Sequence, residues 1–582
     1  MDEDIHAHQE KRGAIGKAVI EFRDFSFQYF SQAAPTLYDI NLSLYEGEKV
    51  LIVGPSGSGK STLGHCLNGL IPFSYQGSLS GSLMVNGTET KSLDVFRLSK
   101  AVGTVLQDVD GQFVGLTAAE DIAFVLENDN LPCDAMRRRV REVAAMVDMQ
   151  ERLGNSPFEL SGGQKQRTSL AGVLVNEVDI LLFDEPLANL DPATGRTAIE
   201  IIEGIFEQTG KTVVIIEHRL EEVLHRRVDR IIALYDGRIV ADMDADHMIS
   251  SSILSDIGIR EPLYVSALKY AGVEVTPAMR PARIQTLNIA SHENRLRQWS
   301  GSVAAGKKRA ARPPLLKIDN LSFSYYGNGN NLDRASFEIQ EGEMVSIVGK
   351  NGAGKSTLAK ILCGLEKEDE GEILFDGKSL REKSIKERAE IIGFVMQNPN
   401  QMISKPMIYD EVALGLRLRE VAEEEIEIRV KKVLKVCGLL PFVKWPVAAL
   451  SYGQRKRVTI ASILVLDPKI VILDEPTAGQ DFRHYTEMMK FLVGLNRLGI
   501  TVILITHDMH LMLEYTPRSI VLADGKIVAD KPASEILTDE RIITKANLKE
   551  TSLFRLAQMA GAGDETAFVQ SFIDYERERR RA

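Results

Sequence analysis

Gly54-Pro-Ser-Gly57-Ser-Gly59-Lys60-Ser61 decides the fold. An apolar run, Lys49-Val-Leu-Ile-Val53, precedes it, and a helix-like run, Ser61-Thr62-Leu-Gly-His-Cys-Leu67, follows. Strand, glycine-rich loop and helix in that order are the context in which G-x-x-x-x-G-K-[ST] forms a phosphate cradle. Gly54, Gly57 and Gly59 let the backbone curl so that its N–H groups face phosphate oxygens. The helix N-terminus adds the positive end of its dipole. Lys60 is expected to reach the β- and γ-phosphates, with Thr62 close by, and Ser61 to ligate Mg²⁺. A Gly/Ser loop with a chance lysine is the bland alternative, and the flanking strand and helix argue against it.

The stretch recurs as Gly349-Lys-Asn-Gly352-Ala-Gly354-Lys355-Ser356, followed by Thr357. Other landmarks recur with it. Lys60 and Lys355 are 295 apart, Ser161 and Ser451 290, Glu185 and Glu475 290, and His218 and His507 289. A near-constant offset over so many positions marks two copies of one domain. The chain divides as a tail over 1–15, a first copy over 16–248 with a helical tail over 249–290, a linker over 291–314, a second copy over 315–540 and its tail over 541–582. The tails echo each other, since Glu261-Pro-Leu-Tyr and Glu550-Thr-Ser-Leu begin similar segments 289 apart.

With 582 residues, of which 44% are hydrophobic, the chain can build packed cores. Its net charge of −11 argues against a general nucleic-acid binder, which shows a basic face. Cys66, Cys133, Cys363 and Cys437 have no metal-ligand spacing, and a reducing compartment is the default. His6 and His8 could be read as a metal pair, but a polar tail explains them more simply. No apolar stretch approaches the ~18–20 residues that a membrane-spanning helix needs. Membrane work would therefore go through partners.

Within each copy the chemistry-bearing residues fall at matched places. Tyr29 and Tyr325 end aromatic, alternating strands ahead of each loop, where a ring can stack on an adenine or simply pack. Gln107 and Gln397 end short strands and can touch Mg²⁺ or the attacking water. Leu160-Ser161-Gly-Gly163-Gln164 and Leu450-Ser451-Tyr-Gly453-Gln454 open helices, giving a second anion site. A plain N-cap explains the serine but leaves the matched glycine and glutamine unexplained. Continuous apolar runs, suited to buried parallel strands, end at Asp184-Glu185 and Asp474-Glu475. Asp184 and Asp474 are expected to hold Mg²⁺, and Glu185 and Glu475 to orient or deprotonate water. Asp191 and Asp481 follow six residues after each glutamate, and His218 and His507 are expected to meet the γ-phosphate. The Glu576-Arg-Glu-Arg-Arg-Arg-Ala582 run reads as a solvated helix end.

This set of motifs resembles the ATP-binding cassette ATPase family over nearly the whole chain, twice. The resemblance implies an α/β fold in which each copy has an antiparallel β subdomain, a parallel-sheet core and a helical subdomain. It implies ATP and Mg²⁺ as cofactors and head-to-tail pairing of the copies. Lys60 and Glu185 would then face Ser451 and Gly453, and Lys355 and Glu475 would face Ser161 and Gly163. Two departures stand out: Tyr452 replaces Gly162, and Ala478-Gly-Gln-Asp481 replaces Ala188-Asn-Leu-Asp191. Both copies keep Lys, Asp, Glu and His, so two competent ATPase sites are expected.

A narrower resemblance lies in Gln107-Asp-Val-Asp-Gly-Gln-Phe113 with Ala119-Glu-Asp-Ile-Ala-Phe124, and in Gln397-Asn-Pro-Asn-Gln-Met402 with Tyr409-Asp-Glu-Val-Ala-Leu-Gly415. These are similar to the ATPases of energy-coupling factor importers. That resemblance implies a peripheral subunit at the cytoplasmic face of the membrane. It would grip a transmembrane scaffold protein and serve a substrate-binding membrane protein for a vitamin or transition-metal ion. The alternative is a soluble tandem ATPase acting on ribosomes, but those carry a long, strongly basic linker that is missing here. A chromosome-structural ATPase would need a coiled coil between loop and signature, and only 101 residues separate Lys60 from Ser161. A ribosome-recycling iron–sulphur ATPase would need an N-terminal Cys cluster.

Overall fold

The computed structural model describes residues 16–108, 110–188, 190–304, 313–325 and 331–580. The expected tail over 1–15, with His6 and His8, lies outside them. The chain divides into two compact units, Met1–Leu296 with Asp481–Arg483, and Arg297–Gln480 with His484–Ala582.

In the first unit β1 (Ala18–Tyr29), β2 (Leu37–Tyr45), β4 (Gly77–Val85) and β5 (Thr88–Glu89) form an antiparallel sheet in the order β2-β1-β4-β5. Phe22, Phe25 and Phe27 of β1 are buried while Arg23 and Asp24 are exposed, as a half-buried strand requires. A second sheet runs β10-β9-β3-β8-β7-β6, from β3 (Lys49–Val53), β6 (Val102–Val105), β7 (Ile180–Asp184), β8 (Thr212–Ile216), β9 (Arg230–Tyr235) and β10 (Arg238–Met243). All pairings in it are parallel except β9 with β10. Strands β3, β7 and β8 are buried at every position, and Val50, Ile52, Leu182, Val214 and Ile216 share one core with the inner residues of the antiparallel sheet and the helix Lys60–Leu67. The helices Ala118–Asn128, Cys133–Met146 and Gly162–Leu174 form the helical part.

The second unit repeats this plan. Its antiparallel sheet runs β12-β11-β14-β15, from β11 (Pro314–Phe323), β12 (Leu332–Gln340), β14 (Glu370–Phe375) and β15 (Lys378–Ser379). Its larger sheet runs β16-β17-β18-β13-β19-β20, from β13 (Met344–Val348), β16 (Ile392–Val395), β17 (Ile470–Asp474), β18 (Thr501–Thr506), β19 (Arg518–Ala523) and β20 (Lys526–Lys531). The repeat extends to a feature no motif marks. Arg230, buried, joins Glu48 at 2.8 Å and also Asp242, while Arg518 joins Glu343 at 2.9 Å and Asp530 at 2.5 Å. Each guanidinium ties the start of a central strand to the antiparallel edge. Removing one partner of such a buried pair costs about 3–5 kcal/mol.

Two stretches differ from the sequence expectation. Residues 293–302 of the supposed linker form a helix, Glu293–Ser302. Leu296 and Trp299, three apart on that helix, are both buried. Arg297 donates to the Ala560 carbonyl at 2.6 Å, and Trp299 packs edge-on against Phe568 and Tyr575. The composition read as polar linker because only these few residues anchor it. In the C-terminal charge run Arg577 and Arg580 are not solvated ends either, although Arg579 is exposed, and Arg581 and Ala582 lie outside the described residues. Arg577 donates to the Thr516 carbonyl at 2.7 Å, and Arg580 pairs with Glu514 and Glu576, each at 2.8 Å.

Candidate active site

The phosphate loop of the first unit joins β3 to the helix Lys60–Leu67. Lys60 Nζ donates to the carbonyls of Gly54 at 2.7 Å and Pro55 at 2.9 Å, curling the loop around its own lysine. Lys355 does the same to Gly349 and Lys350, at 2.7 and 2.9 Å. Burial lowers the Lys60 pKa, and Glu185 among nearby carboxylates opposes that. A Cβ on Gly54 would fall 2.3 Å from the Leu234 carbonyl oxygen, and Gly59 has φ 98°, so these positions admit only glycine.

Asp184 and Asp474 close β7 and β17 behind the loops. The Asp184 carboxyl is pushed up to about 6, by burial first and then by Glu185. Its Oδ1 is buried without a hydrogen-bond partner. Asp474 is raised by burial too, but Ser356 Oγ donates to it at 2.8 Å and offsets part of the rise. The unpartnered buried Asp184 oxygen in the first unit and the Ser356 hydroxyl bonded to Asp474 in the second are hard oxygen donors, and they fit Mg²⁺. Among the described residues no three His, Cys, Asp or Glu side chains converge on one metal position. The ion would thus be shared with substrate phosphates, through Ser61 and Asp184 in one unit and Ser356 and Asp474 in the other. When bound, it neutralises phosphate charge.

Glu185 and Glu475 take left-handed backbone, with φ 49° and 45°. For a non-glycine residue this is strain, and it persists only where the surroundings hold it. The holding bonds are visible: Glu185 N donates to the Ile216 carbonyl and Glu475 N to the Ile505 carbonyl, both at 2.9 Å. The carboxylates, however, are partnered differently. Gln107 Nε2 donates to Glu185 at 2.5 Å, while His218 Nδ1 lies 3.8 Å from Glu185 and 3.3 Å from Glu217. In the second unit His507 Nδ1 stands 2.6 Å from Glu475, and Thr506 Oγ1 donates to it at 3.2 Å. Burial raises both carboxyls, but the histidines together with Lys60 and Arg219 at Glu185, and with Lys355 and Thr506 at Glu475, outweigh it, so both end below the usual range. Each is an ionised carboxylate beside a histidine, a group of the kind that can orient or deprotonate water.

The signature segments are helix N-termini. Ser161 accepts from Gln164 N at 3.4 Å while Gln164 Oε1 accepts from Ser161 N at 2.9 Å, and Ser451 and Gln454 repeat this capping box at 3.3 and 3.0 Å. Capping therefore accounts for the glutamine as well as the serine, which the sequence reading did not foresee. The glycines differ. A Cβ on Gly163 would meet Thr194 Cγ2 at 2.5 Å, whereas one on Gly453 would meet no atom within 4 Å. Tyr452 lies against its own glutamine strand end, its hydroxyl donating to the Gln397 carbonyl at 3.4 Å.

Asp191 is buried and N-caps the helix Pro192–Thr209, accepting from Thr194 N at 3.0 Å. Asp481 is likewise buried, just ahead of the helix Phe482–Arg497. The Tyr29 hydroxyl bonds Thr62 Oγ1 at 3.1 Å and its ring meets Phe27 and Tyr75 edge-on, while Tyr325 meets Phe323 edge-on. The open ring at that edge is Phe30, 71% exposed, which the sequence reading passed over. Also missed were two wholly buried charges, Glu217 and Lys456. The signal for them was the repeat itself, because their counterparts are Thr506 and Gln166.

A paired phosphate loop, acidic strand end, histidine and capped signature helix, built twice, define a P-loop ATPase of the cassette type. Residues 37–188 and 332–478 match the ABC transporter family, and the chain belongs to it. Residues 251–323 match a further family, described as ATP-binding cassette cobalt transporter. The chain is 57% identical to an ABC transporter ATP-binding protein of Clostridium perfringens, over 96% of this chain and 99% of that one. It is 54% identical to another from Enterococcus faecalis, over 97% and 99%. A solved structure, cbiO1 from Clostridium perfringens, is 35% identical and covers 43% of this chain and 98% of its own, with a TM-score of 0.38.

Proposed function

We propose that the chain is the ATP-hydrolysing subunit of a membrane importer of the energy-coupling factor kind, driving uptake of a transition-metal ion or a vitamin. In this reading the two cassettes of one chain pair, each phosphate loop using the other's signature, and close on Mg²⁺-ATP. Hydrolysis at Glu185 and Glu475 reopens them. In this reading the chain works at the cytoplasmic face of the membrane; among the described residues no helix is long and apolar enough to cross a membrane. The match of 251–323 to a cobalt-transporter description supports the substrate class.

One observation carries the partner. Beside the Gln107 strand end, segments 113–119 and 153–159 are joined by Ala118 N to the Asn155 carbonyl and Ala119 N to the Leu153 carbonyl, both 2.9 Å. These segments expose Val114 (66%), Leu116 (81%) and Phe158 (88%). Such a cluster marks a protein-binding surface, and it suits the apolar side of a helix from a transmembrane scaffold. Burying each side chain stabilises by about 1.5–3 kcal/mol. The test is to purify the full chain from membranes. Small polytopic membrane proteins should accompany it, and Leu116→Asp with Phe158→Asp should lose them while basal ATP hydrolysis persists. Ribosomal subunits in their place, or partners indifferent to both substitutions, would overturn the reading.

A further inference from the structure

The two ATP sites share their motifs but not their buried charges. Glu217 directly follows the first unit's β8 strand where the second unit has Thr506, and Lys456 lies on the second signature helix where the first has Gln166. Both charged side chains are wholly buried.

The Glu217 carboxylate accepts from three backbone groups: Leu187 N at 3.2 Å, His218 N at 2.9 Å and Arg219 N at 3.1 Å. Arg219 in turn donates to the Leu187 carbonyl. One carboxylate and one guanidinium thus pin the segment that follows Glu185 to the segment that carries His218. Lys456 does comparable work with the opposite sign. Its Nζ donates to the Glu475 carbonyl at 2.8 Å and the Gln397 carbonyl at 3.1 Å, fastening the glutamine strand end to the acidic strand end. Burial pushes its pKa down to about 8, while Glu475 and Asp474 support the ammonium form. The corresponding bond in the first unit comes from neutral Gln166, to the Pro186 carbonyl. The corresponding group to Glu217 in the second unit is the neutral Thr506 hydroxyl.

Among the wholly buried side chains, passing from the first site to the second therefore removes one anion and adds one cation, while the half-buried Arg219 beside Glu217 gives way to the half-buried Asp508. Both charges act on the acidic strand ends: Glu217 accepts from the backbone of Leu187, three residues after Asp184, and Lys456 donates to the carbonyl of Glu475, next to Asp474. Buried charges are screened far less than surface ones. We propose that Glu217 and Lys456 are positioning residues that make the two sites unequal, the Lys60 site holding its divalent cation more firmly and the Lys355 site holding nucleotide phosphate more firmly. This rests on the reading of both sites as cation-assisted ATP sites.

The test uses the full chain, a non-hydrolysable ATP analogue and Mn²⁺ in place of Mg²⁺, with free Mn²⁺ followed by electron paramagnetic resonance at neutral pH. Lys355→Ala isolates the first site and Lys60→Ala the second. In the first background, Glu217→Gln keeps the shape and removes the charge, and it should raise the Mn²⁺ half-saturation about three- to tenfold. Glu217→Asp should restore most of the affinity, which a purely structural role does not predict. In the second background, Lys456→Met should lower the Mn²⁺ half-saturation and raise that for the nucleotide. Lys456→Gln, the residue native to the other copy, serves where the methionine variant does not fold. Opposite shifts support the proposal. Unchanged half-saturation, or shifts of the same sign in both backgrounds, overturn it while leaving the ATP reading intact. An unsubstituted chain that binds no Mn²⁺ with the analogue overturns both.

Discussion

Glu475 places its carboxylate by adopting a backbone conformation, φ 45°, that glycine tolerates and other residues resist. Two substitutions separate that strain from the chemistry. Glu475→Ala and Glu475→Gly both delete the bonds from His507 and Thr506, so those losses cancel in the comparison. A left-handed non-glycine residue costs roughly 1–2 kcal/mol, and glycine's greater freedom in the unfolded chain returns about 0.5–1 kcal/mol. The glycine variant should therefore be more stable than the alanine variant by about 0.5–1 kcal/mol. Because the second unit exceeds 250 residues, that is only about 1–2 °C in melting temperature, and urea midpoints are the better measure. The chain has two tryptophans, Trp299 and Trp445, both in the second unit, so tryptophan-selective fluorescence, excited where tyrosine does not absorb, reports that unit alone. Both variants should lose turnover at the Lys355 site equally. An alanine variant as stable as the glycine variant, or more so, would refute the claim that the catalytic position stores strain.

Two further outcomes are expected. Glu185→Gln combined with Glu475→Gln should bind ATP yet barely hydrolyse it, and undiminished phosphate release would remove the assigned role of these carboxylates. His218 should stabilise the first unit in a pH-dependent way. Burial alone would lower its pKa, but Glu217 and Glu185 outweigh burial and raise it above 6.5. The stabilisation is therefore full below 6.5 and fades as pH rises through the folded value. Circular-dichroism melts of His218→Asn should show a larger loss near about pH 6 than near about pH 9, and a constant loss would contradict the assignment.

Local structure was legible in the sequence and long-range partnership was not. The phosphate loops, acidic strand ends and signature helices are short stretches whose residues act on their own backbone, so spacing alone locates Lys60, Asp184 and Ser161. The matched offsets of 289–295 residues carried the fold, because a repeat that preserves its motifs preserves the sheet order between them. By contrast, nothing near Lys456 in sequence says that it reaches carbonyls 59 residues back and 19 residues on. Nothing near Glu217 announces Leu187, 30 residues earlier. The C-terminal arginines misled for the same reason, since their acceptors, Thr516 and Glu514, are more than 60 residues away. The signature glutamines were read only for a ligand, and the sequence reading left out the capping box in which each also accepts from its serine N.

The helix Glu293–Ser302 also decides where the chain can be divided. The boundary between the two units falls inside it, at Leu296 and Arg297, and its later residues rest on Ala560, Phe568 and Tyr575. Someone expressing the halves as separate polypeptides would naturally cut in the basic, glycine-containing stretch at 303–313. That cut would strand the Trp299 indole on the first product and uncover Phe568, now 1% exposed, on the second. A cut ahead of Glu293 sends Trp299 along with the rings it touches, so the second half inherits its own lid.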